Sequence, residues 1–232
     1  MQEIFDAIMG FVSRPDKVVK QLFEEYGNWI YLVLFLQIFA ETGLIFLIFI
    51  TAFLPGDALL FALGMIAANE DNGLKIEILI PLLMLGALIG DNLNYLIGRR
   101  FGHWILQKED SRFYKKKYLK RAMRVFKKRG RAAIIIARFT PVIRTLIPFV
   151  CGIFHLKYKV FLLYSFIGAT VWVAGIISIG YFLGKFKFVE NNLGFFIIGI
   201  IVLANLPTIT KVIRNRIDRV KRFKKIMEER SR

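Results

Sequence analysis

Residues 132–154 read AAIIIARFTPVIRTLIPFVCGIF, a stretch long and apolar enough to enter a lipid bilayer. It contains two arginines, Arg138 and Arg144, and is interrupted by two prolines, Pro141 and Pro148. Arginine at membrane depth costs about 2.5 to 3.5 kcal/mol on insertion scales, and proline frees backbone groups that lipid cannot satisfy. We therefore predict that this stretch is buried in protein or beside a polar cavity, and that it contributes to a functional site.

The rest of the chain has the composition of a membrane protein. Of its 232 residues, 56% are hydrophobic, yet the formal net charge is +17. Apolar and basic residues are segregated along the sequence, which indicates a multi-spanning membrane protein and not a soluble domain. Most of the apolar stretches reach the roughly 20 residues that cross a hydrocarbon core. Besides residues 132–154, they are residues 29–68, 76–98, 160–184 and 193–210.

Cysteine and histidine are too scarce to suggest metal chemistry. Cys151 is the only cysteine, and neither His103 nor His155 has a second His or Cys at metal-ligand spacing. We expect no metal site, no cofactor and no intramolecular disulfide, with both histidines at the membrane interface.

The basic residues predict the topology. Fourteen of the 34 Lys and Arg lie in residues 99–131 and ten in residues 211–232, so the positive-inside rule places both regions, and the C-terminus, in the cytoplasm. If residues 160–184 and 193–210 each cross once, residues 155–159 are also cytoplasmic. Residues 132–154 then begin and end on the same side, as a re-entrant hairpin does.

The stretch 29–68 has a similar character. It is too long for one span and is interrupted by Pro55-Gly56-Asp57, which fits a second re-entrant hairpin entering from the opposite face. We call residues 29–68 the first segment and residues 132–154 the second segment. The predicted fold is an all-α polytopic membrane protein with an inverted-repeat-like arrangement, and paired interrupted segments of this kind indicate a transporter site near the midplane.

Amphipathic helices complete the predicted architecture. Residues 1–28 resemble an interfacial segment, residues 99–131 a basic cytoplasmic one, and residues 211–232 a basic cytoplasmic tail. Anionic headgroups attract such helices by about 1 kcal/mol per nearby basic residue. Because the phosphate-rich membrane surface lies beside these basic helices, we expect membrane lipids as partners and no nucleic acid.

The acidic candidates are Glu41 and Asp57. Glu41 lies about twelve residues into the first segment, and an ionisable residue at such depth is by default a functional candidate. It either exchanges a proton or serves as a structural carboxyl paired with an arginine. Asp57 follows Pro55-Gly56, where it is well placed to be the N-cap of an ascending helix.

The basic candidates are Arg138 and Arg144. Six residues of continuous helix turn through about 600°, so the two can converge on one anion only if Pro141 breaks the helix. Two guanidinium groups near helix N-termini would make a phosphate-sized site. The alternative for Arg138 is that its side chain reaches the cytoplasmic headgroups.

On the next span, GALIGDNLNYLIGRR (residues 86–100) places Asp91 and Tyr95 on one helix face. Interhelical hydrogen bonding and a functional role are both open for Asp91, beside the Gly86-x-x-x-Gly90 packing step. Gly180-x-x-x-Gly184 indicates packing alone. Such small-residue faces permit a homodimer as readily as internal packing.

In combination, these motifs resemble the DedA family, which is related to the eukaryotic VTT-domain proteins. The likeness extends over roughly residues 29–184 and rests on Glu41, on Pro55-Gly56-Asp57, on GALIGDNLNYLIGR (86–99) and on RFTPVIRTLIPFVCG (138–152).

The resemblance implies a bacterial inner-membrane protein with two opposed re-entrant segments. Members include translocases that return undecaprenyl phosphate to the cytoplasmic leaflet in dependence on the proton motive force, and the eukaryotic relatives scramble phospholipids. Glu41 and Asp57 carry over as the acidic pair, and Arg138 and Arg144 as the basic pair.

The main functional hypothesis is a proton-coupled translocase of undecaprenyl phosphate or a related polyprenyl phosphate. Arg138 and Arg144 would bind the phosphate, Glu41 and Asp57 would couple protons, and a set of further residues would support the site: Pro55, Gly56, Asp91, Tyr95, Pro141 and Pro148. The alternatives are a proton-coupled antiporter for small cations or drugs, and a phospholipid scramblase. We do not expect an enzyme, because no phosphatase pattern surrounds either histidine and no Asp-rich metal motif occurs.

Overall fold

The computed structural model describes residues 21, 23–43, 56–69, 72–107, 116–140, 143–190, 195–196 and 199. Within these ranges the chain forms helices and no strand, which confirms the all-α prediction. The helices are α1 (Trp29–Gly43), α2 (Gly56–Ala67), α3 (Ile76–Gln107), α4 (Lys116–Arg129), α5 (Ala132–Ile136), α6 (Ile143–Ile153), α7 (Tyr158–Ala169), α8 (Gly175–Gly184) and α9 (Lys187–Glu190). A 3-10 turn, Ala137–Phe139, follows α5, and a π-helical turn, Thr170–Ala174, joins α7 to α8.

Some predicted features lie outside the described residues. They are most of the segment 1–28, Pro55, Pro141, nearly all of the span 193–210 and the tail 211–232.

Among the described residues, two helices are long and apolar enough to cross a membrane: α3, with 32 residues, and the continuous α7–α8 helix, with 27. They extend about 48 and 40 Å, more than the roughly 30 Å of a hydrocarbon core. In contrast, the described parts of α1, α2 and α6 have 15, 12 and 11 residues, fewer than the roughly 20 that cross a hydrocarbon core. Helix α3 also continues past the predicted end of its span at residue 98, because no proline stops it and Gly102 packs closely on Ile153 of α6.

Helix α3 is shared by both segments, and glycines line its two crossings. In its N-terminal half, Gly86 and Gly90 lie against α1, where a Cβ on Gly90 would be 3.1 Å from the Cα of Gly43. In its C-terminal half, Gly98 lies against the backbone of Phe149 in α6. Small residues allow this close approach of helices, as the sequence predicts for the Gly86–Gly90 step.

The α7–α8 helix also contacts both segments, but in the opposite order along its length. Its C-terminal part, α8, packs through Gly180 and Gly184 on α2, where Gly64 meets it. Its N-terminal part, α7, packs through Gly168 on Ile135 of α5. The first segment therefore lies beside the start of α3 and the end of α7–α8, while the second lies beside the end of α3 and the start of α7–α8.

Each segment is the centre of its own apolar cluster. One joins the first segment to α3 and α8 and includes Ile38, Leu60, Leu83 and Ile177. The other joins the second segment to α3, α4 and α7 and includes Tyr95, Leu119, Ile147 and Phe161. Apart from Asn72, the buried polar side chains belong to the middle of the fold, where elements of both clusters meet: Glu41, Thr42, Asp91, Asn94, Arg138, Thr145 and Ser165.

The second segment contains one clear break. The backbone leaves the 3-10 turn in an extended conformation at Thr140, with φ −124° and ψ 108°, and α6 begins at Ile143. Pro148, which the sequence predicts to be a second interruption, lies inside α6 without ending it. Because proline lacks an N–H, the Arg144 carbonyl four residues earlier loses its helical donor.

Helix α4 is amphipathic, as predicted. Leu119 and Ala122 are buried against α6 and α5, and Phe126 stacks on Phe154 with ring centroids 5.5 Å apart. Its described basic side chains are exposed: Lys117, Lys120, Arg121, Arg124, Lys127, Lys128 and Arg129. A basic surface is thus attached directly to the helix that carries Arg144.

Candidate functional site

Arg144 is the centre of an ion-paired triad. It lies in the first turn of α6, and its guanidinium donates to Oε1 of Glu41 and, at 3.0 Å, to Oδ1 of Asp57. Glu41 belongs to the last turn of α1, and Asp57 to the first turn of α2. One side chain of the second segment is therefore bonded to the two helix ends that flank the interruption of the first segment.

Gly56 makes room for the Glu41 carboxylate. A Cβ at residue 56 would overlap that carboxylate, so a larger residue would displace it. The N-terminus of α2 is also a favourable place for a negative charge, because its backbone N–H groups and dipole point there. Glu41 is only 2% exposed, and its second oxygen, Oε2, has no hydrogen-bond partner among the described residues. That oxygen is a buried acceptor able to take up a proton.

Arg138 has a separate set of partners. It lies in the 3-10 turn, and its Nη2 donates to Oδ2 of Asp91 and, at 3.2 Å, to the carbonyl of Ser165. The Ser165 hydroxyl donates to the same Asp91 oxygen. These bonds tie the second segment to α3 and α7. Burial is nearly complete at 4%, so the side chain does not reach headgroups, and its Nε has no partner among the described atoms.

The two arginines do not share an acceptor, because each is neutralised by its own carboxylates. They share an aromatic ring instead. The guanidinium carbon of Arg144 lies 4.9 Å from the Trp172 ring centroid, and that of Arg138 lies 5.8 Å away. Both distances are within the range of cation–π attraction. The Trp172 indole also donates to Oδ1 of Asp57 at 2.8 Å, so Trp172 contacts both the Arg144 triad and Arg138.

Asn94 bridges the two segments from α3. Its Nδ2 donates to the carbonyl of Thr42 at 2.6 Å and to that of Thr145 at 3.3 Å. These residues directly follow Glu41 and Arg144 in sequence. The first bond provides a donor to a carbonyl in the last described turn of α1. Asn94 therefore fixes the distance between the helix ends that carry the ion pair.

Tyr95 shares a helix face with Asp91, but its described contacts do not include Arg138 or Arg144. Its hydroxyl donates to the carbonyl of Leu156 at 2.6 Å and accepts from Arg99 at 3.4 Å, and its ring stacks on Phe161. These contacts hold the end of α6 against α3 and α7.

The polar layer, which we define as Glu41, Asp57, Asp91, Asn94, Arg138, Arg144, Ser165 and Trp172, is unevenly accessible. The Glu41 side chain is 3% exposed and that of Arg144 is 10% exposed, whereas that of Asp57 is 33% exposed. Asp57 is thus the member through which the triad is reached from outside. In the parts of the chain that the structure describes, no group of three or more His, Cys, Asp or Glu could hold a metal ion.

Sequence reasoning overlooked three members of the polar layer, namely Trp172, Asn94 and Ser165. A signal was present only for Asn94, which lies one turn after Asp91 on the same helix. Tryptophan and serine within an apolar span are more often packing residues.

Comparison with known proteins identifies the family. The VTT domain model matches residues 54–182, more than half of the chain. Protein DedA of Escherichia coli K12 is 40% identical over 209 residues, which cover 90% of this chain and 94% of that protein. The chain belongs to the DedA family.

Two further relatives are membrane proteins by name. A membrane protein of Mycobacterium tuberculosis H37Rv is 38% identical over 82% of this chain and 81% of its own. Inner membrane protein YqjA of Escherichia coli K12 is 34% identical over 67% of this chain and 68% of its own. No solved structure matches the chain. The VTT match includes both arginines and Trp172, whereas Glu41 precedes it.

Proposed function

We propose that this DedA family protein moves undecaprenyl phosphate, or a related polyprenyl phosphate, across the bacterial inner membrane in exchange with protons. The observation that carries the proposal is the Arg144 triad. A buried guanidinium held by two carboxylates, one of them accessible, can release those carboxylates and bind a phosphate in their place. Arginine suits this exchange because its planar fork matches carboxylate and phosphate oxygens equally well.

The charges of the polar layer support coupling to protons. Glu41, Asp57 and Asp91 bring three negative charges and Arg138 and Arg144 two positive ones, so the formal sum is −1 when all are ionised. An anion is repelled from such a layer. Protonation of Glu41 and Asp57 raises the sum to +1 and frees Arg144, and a phosphate monoanion then restores neutrality.

Arg138 contributes a second donor in this proposal. Its Nη2 stays bonded to Asp91 and Ser165, while its Nε, which is buried and has no partner among the described atoms, would become a donor to a phosphate oxygen when the site opens. The phosphate would thus be bound between the two arginines without disruption of the Asp91 pair. The isoprenoid tail would remain in lipid.

We further propose that the two segments are opposed re-entrant hairpins that form inverted repeats. The short lengths of α1, α2 and α6 and the reversed order in which α3 and α7–α8 contact the segments support this arrangement. Rocking of one segment against the other would expose the polar layer to each side in turn. In the same arrangement α4 and the C-terminus lie in the cytoplasm, with the exposed bases of α4 on anionic headgroups.

Reconstitution into liposomes with a leaflet-specific assay for undecaprenyl phosphate tests the proposal. Arg144→Ala should abolish transport, because no other described cation lies between Glu41 and Asp57. Lys75→Ala, which removes an exposed basic side chain far from the polar layer, is the matched control. Unchanged transport in Arg144→Ala would exclude this site as the phosphate site.

The same preparation separates the other hypotheses. The formal charge of −1 also suits a cation, so proton flux driven by small cations in the absence of lipid phosphate would favour the antiporter. Lipid movement that continues unchanged after the proton gradient is collapsed would favour a scramblase. Release of inorganic phosphate from a labelled lipid would indicate an enzyme instead of a transporter.

A further inference from the structure

Trp172 is the largest fully buried side chain of the described residues, and it is held by a π-helical turn. Such turns are rare and occur often at functional sites. Its ring faces Arg144 and Arg138, and its Nε1 donates to Oδ1 of Asp57, the same oxygen that accepts from Arg144 at 3.0 Å. Trp172 therefore contacts both members of the Arg144–Asp57 pair.

We propose that Trp172 is a positioning residue that allows the Arg144–Asp57 pair to open without leaving either partner unsatisfied. When the pair separates, Asp57 keeps the indole N–H as a donor and Arg144 keeps the ring face as a counterpart. A buried charge that loses its partner is otherwise strongly disfavoured. The ring also keeps the guanidinium in place, so that it need not be ordered again when the phosphate arrives.

Other charged groups act on the same ring and belong to the proposal. Glu41 from α1 acts on it through Arg144, and Asp91 from α3 acts through Arg138. The contact between the ring and Arg144 requires the aromatic face of Trp172, whereas the bond to Asp57 requires its indole N–H. The two functions of Trp172 can therefore be separated by substitution.

The transport measurement rests on the proposed function. Trp172→Phe keeps an aromatic face and loses the N–H, so its KM for the lipid phosphate should stay within about 3-fold while its dependence of rate on pH changes. Trp172→Leu loses both, and its KM should rise by about 5- to 30-fold, the range expected for a desolvated cation–π contact. Trp104→Phe, at an exposed tryptophan of α3, is the matched control.

A second measurement does not require the substrate. Trp29 and Trp104 are exposed, and they are the other two of the three tryptophans. In a Trp29→Phe/Trp104→Phe protein, Trp172 is the sole indole. Its emission should change with pH, and Asp57→Asn should reduce that change, because Asp57 is the carboxylate that bonds the indole directly.

The outcomes are distinguishable. Equal KM values and equal pH profiles in folded Trp172→Phe and Trp172→Leu, as judged by circular dichroism and gel filtration, would overturn the proposal. So would an emission that does not change with pH, or a pH response that is equally large in Asp57→Asn. If the parent protein moves no lipid phosphate, the proposed function fails, while the emission measurement still decides the role of Trp172.

Discussion

Arg144, Glu41 and Asp57 differ in burial, and the difference predicts how much stability each contributes. Arg144→Gln removes the cation and leaves Glu41, 3% exposed, as an unpaired buried carboxylate; breaking a buried pair in this way costs about 3 to 5 kcal/mol. Glu41→Gln leaves Arg144 bonded to Asp57, so we expect a loss of about 1 to 3 kcal/mol. Asp57→Asn affects a side chain that is 33% exposed and leaves Arg144 bonded to Glu41, so the loss should be below about 1 kcal/mol.

Thermal unfolding in detergent measures this order. At about 2 to 4 °C per kcal/mol for a chain of this size, Arg144→Gln should lower Tm by roughly 6 to 20 °C, and Asp57→Asn by less than about 4 °C. A Glu41→Gln/Arg144→Gln double variant should recover part of the loss, because the unpaired carboxylate is gone. The reasoning is refuted if Asp57→Asn is as destabilising as Arg144→Gln, or if the double variant loses the full sum of the two single losses.

Three further predictions concern Gly56, Asn94 and His155. Gly56→Ala should reduce both stability and transport, because its Cβ displaces the Glu41 carboxylate, whereas Gly175→Ala, where a Cβ meets no atom within 4 Å, should be tolerated; equal effects in a transport assay would contradict this. Asn94→Leu should lower the free energy of unfolding by about 1 to 3 kcal/mol, since a buried Thr42 carbonyl loses its donor, and an unchanged Tm would argue against the bridge. His155→Gly should raise Tm, because residue 155 has a φ of 50° at the C-terminus of α6 and left-handed backbone costs a non-glycine residue about 1 kcal/mol; a lower Tm would show that the His155 side chain is needed.

The all-helical character and the two long apolar helices could be predicted from the sequence because they follow from one-dimensional patterns. Apolar length predicted spans at residues 76–98 and 160–184, and the structure has helices over Ile76–Gln107 and Tyr158–Gly184. The arginines and carboxylates of the apolar stretches could also be recognised as candidate site residues, because burying an ionisable side chain without a partner costs free energy.

Which arginine pairs with which carboxylate could not be predicted from the sequence. Arg138 and Asp91 are 47 residues apart, and Arg144 and Glu41 are 103 apart, so their contacts depend on how four helices pack. Sequence alone made convergence of the two arginines on one anion as reasonable as separate ion pairs. The contact of Trp172 with the arginines could not be predicted either. Trp172 lies in a π-helical turn of an apolar span, and such a turn has no recognisable sequence pattern.

The π-helical turn has a consequence for the mechanics of the protein. It divides a long helix into α7, which is attached to the second segment, and α8, which is attached to the first. Wider winding at this point interrupts the regular hydrogen-bond ladder, and Gly175 just beyond it has no close neighbour. Torsion between the two halves can therefore be absorbed at residues 170–175.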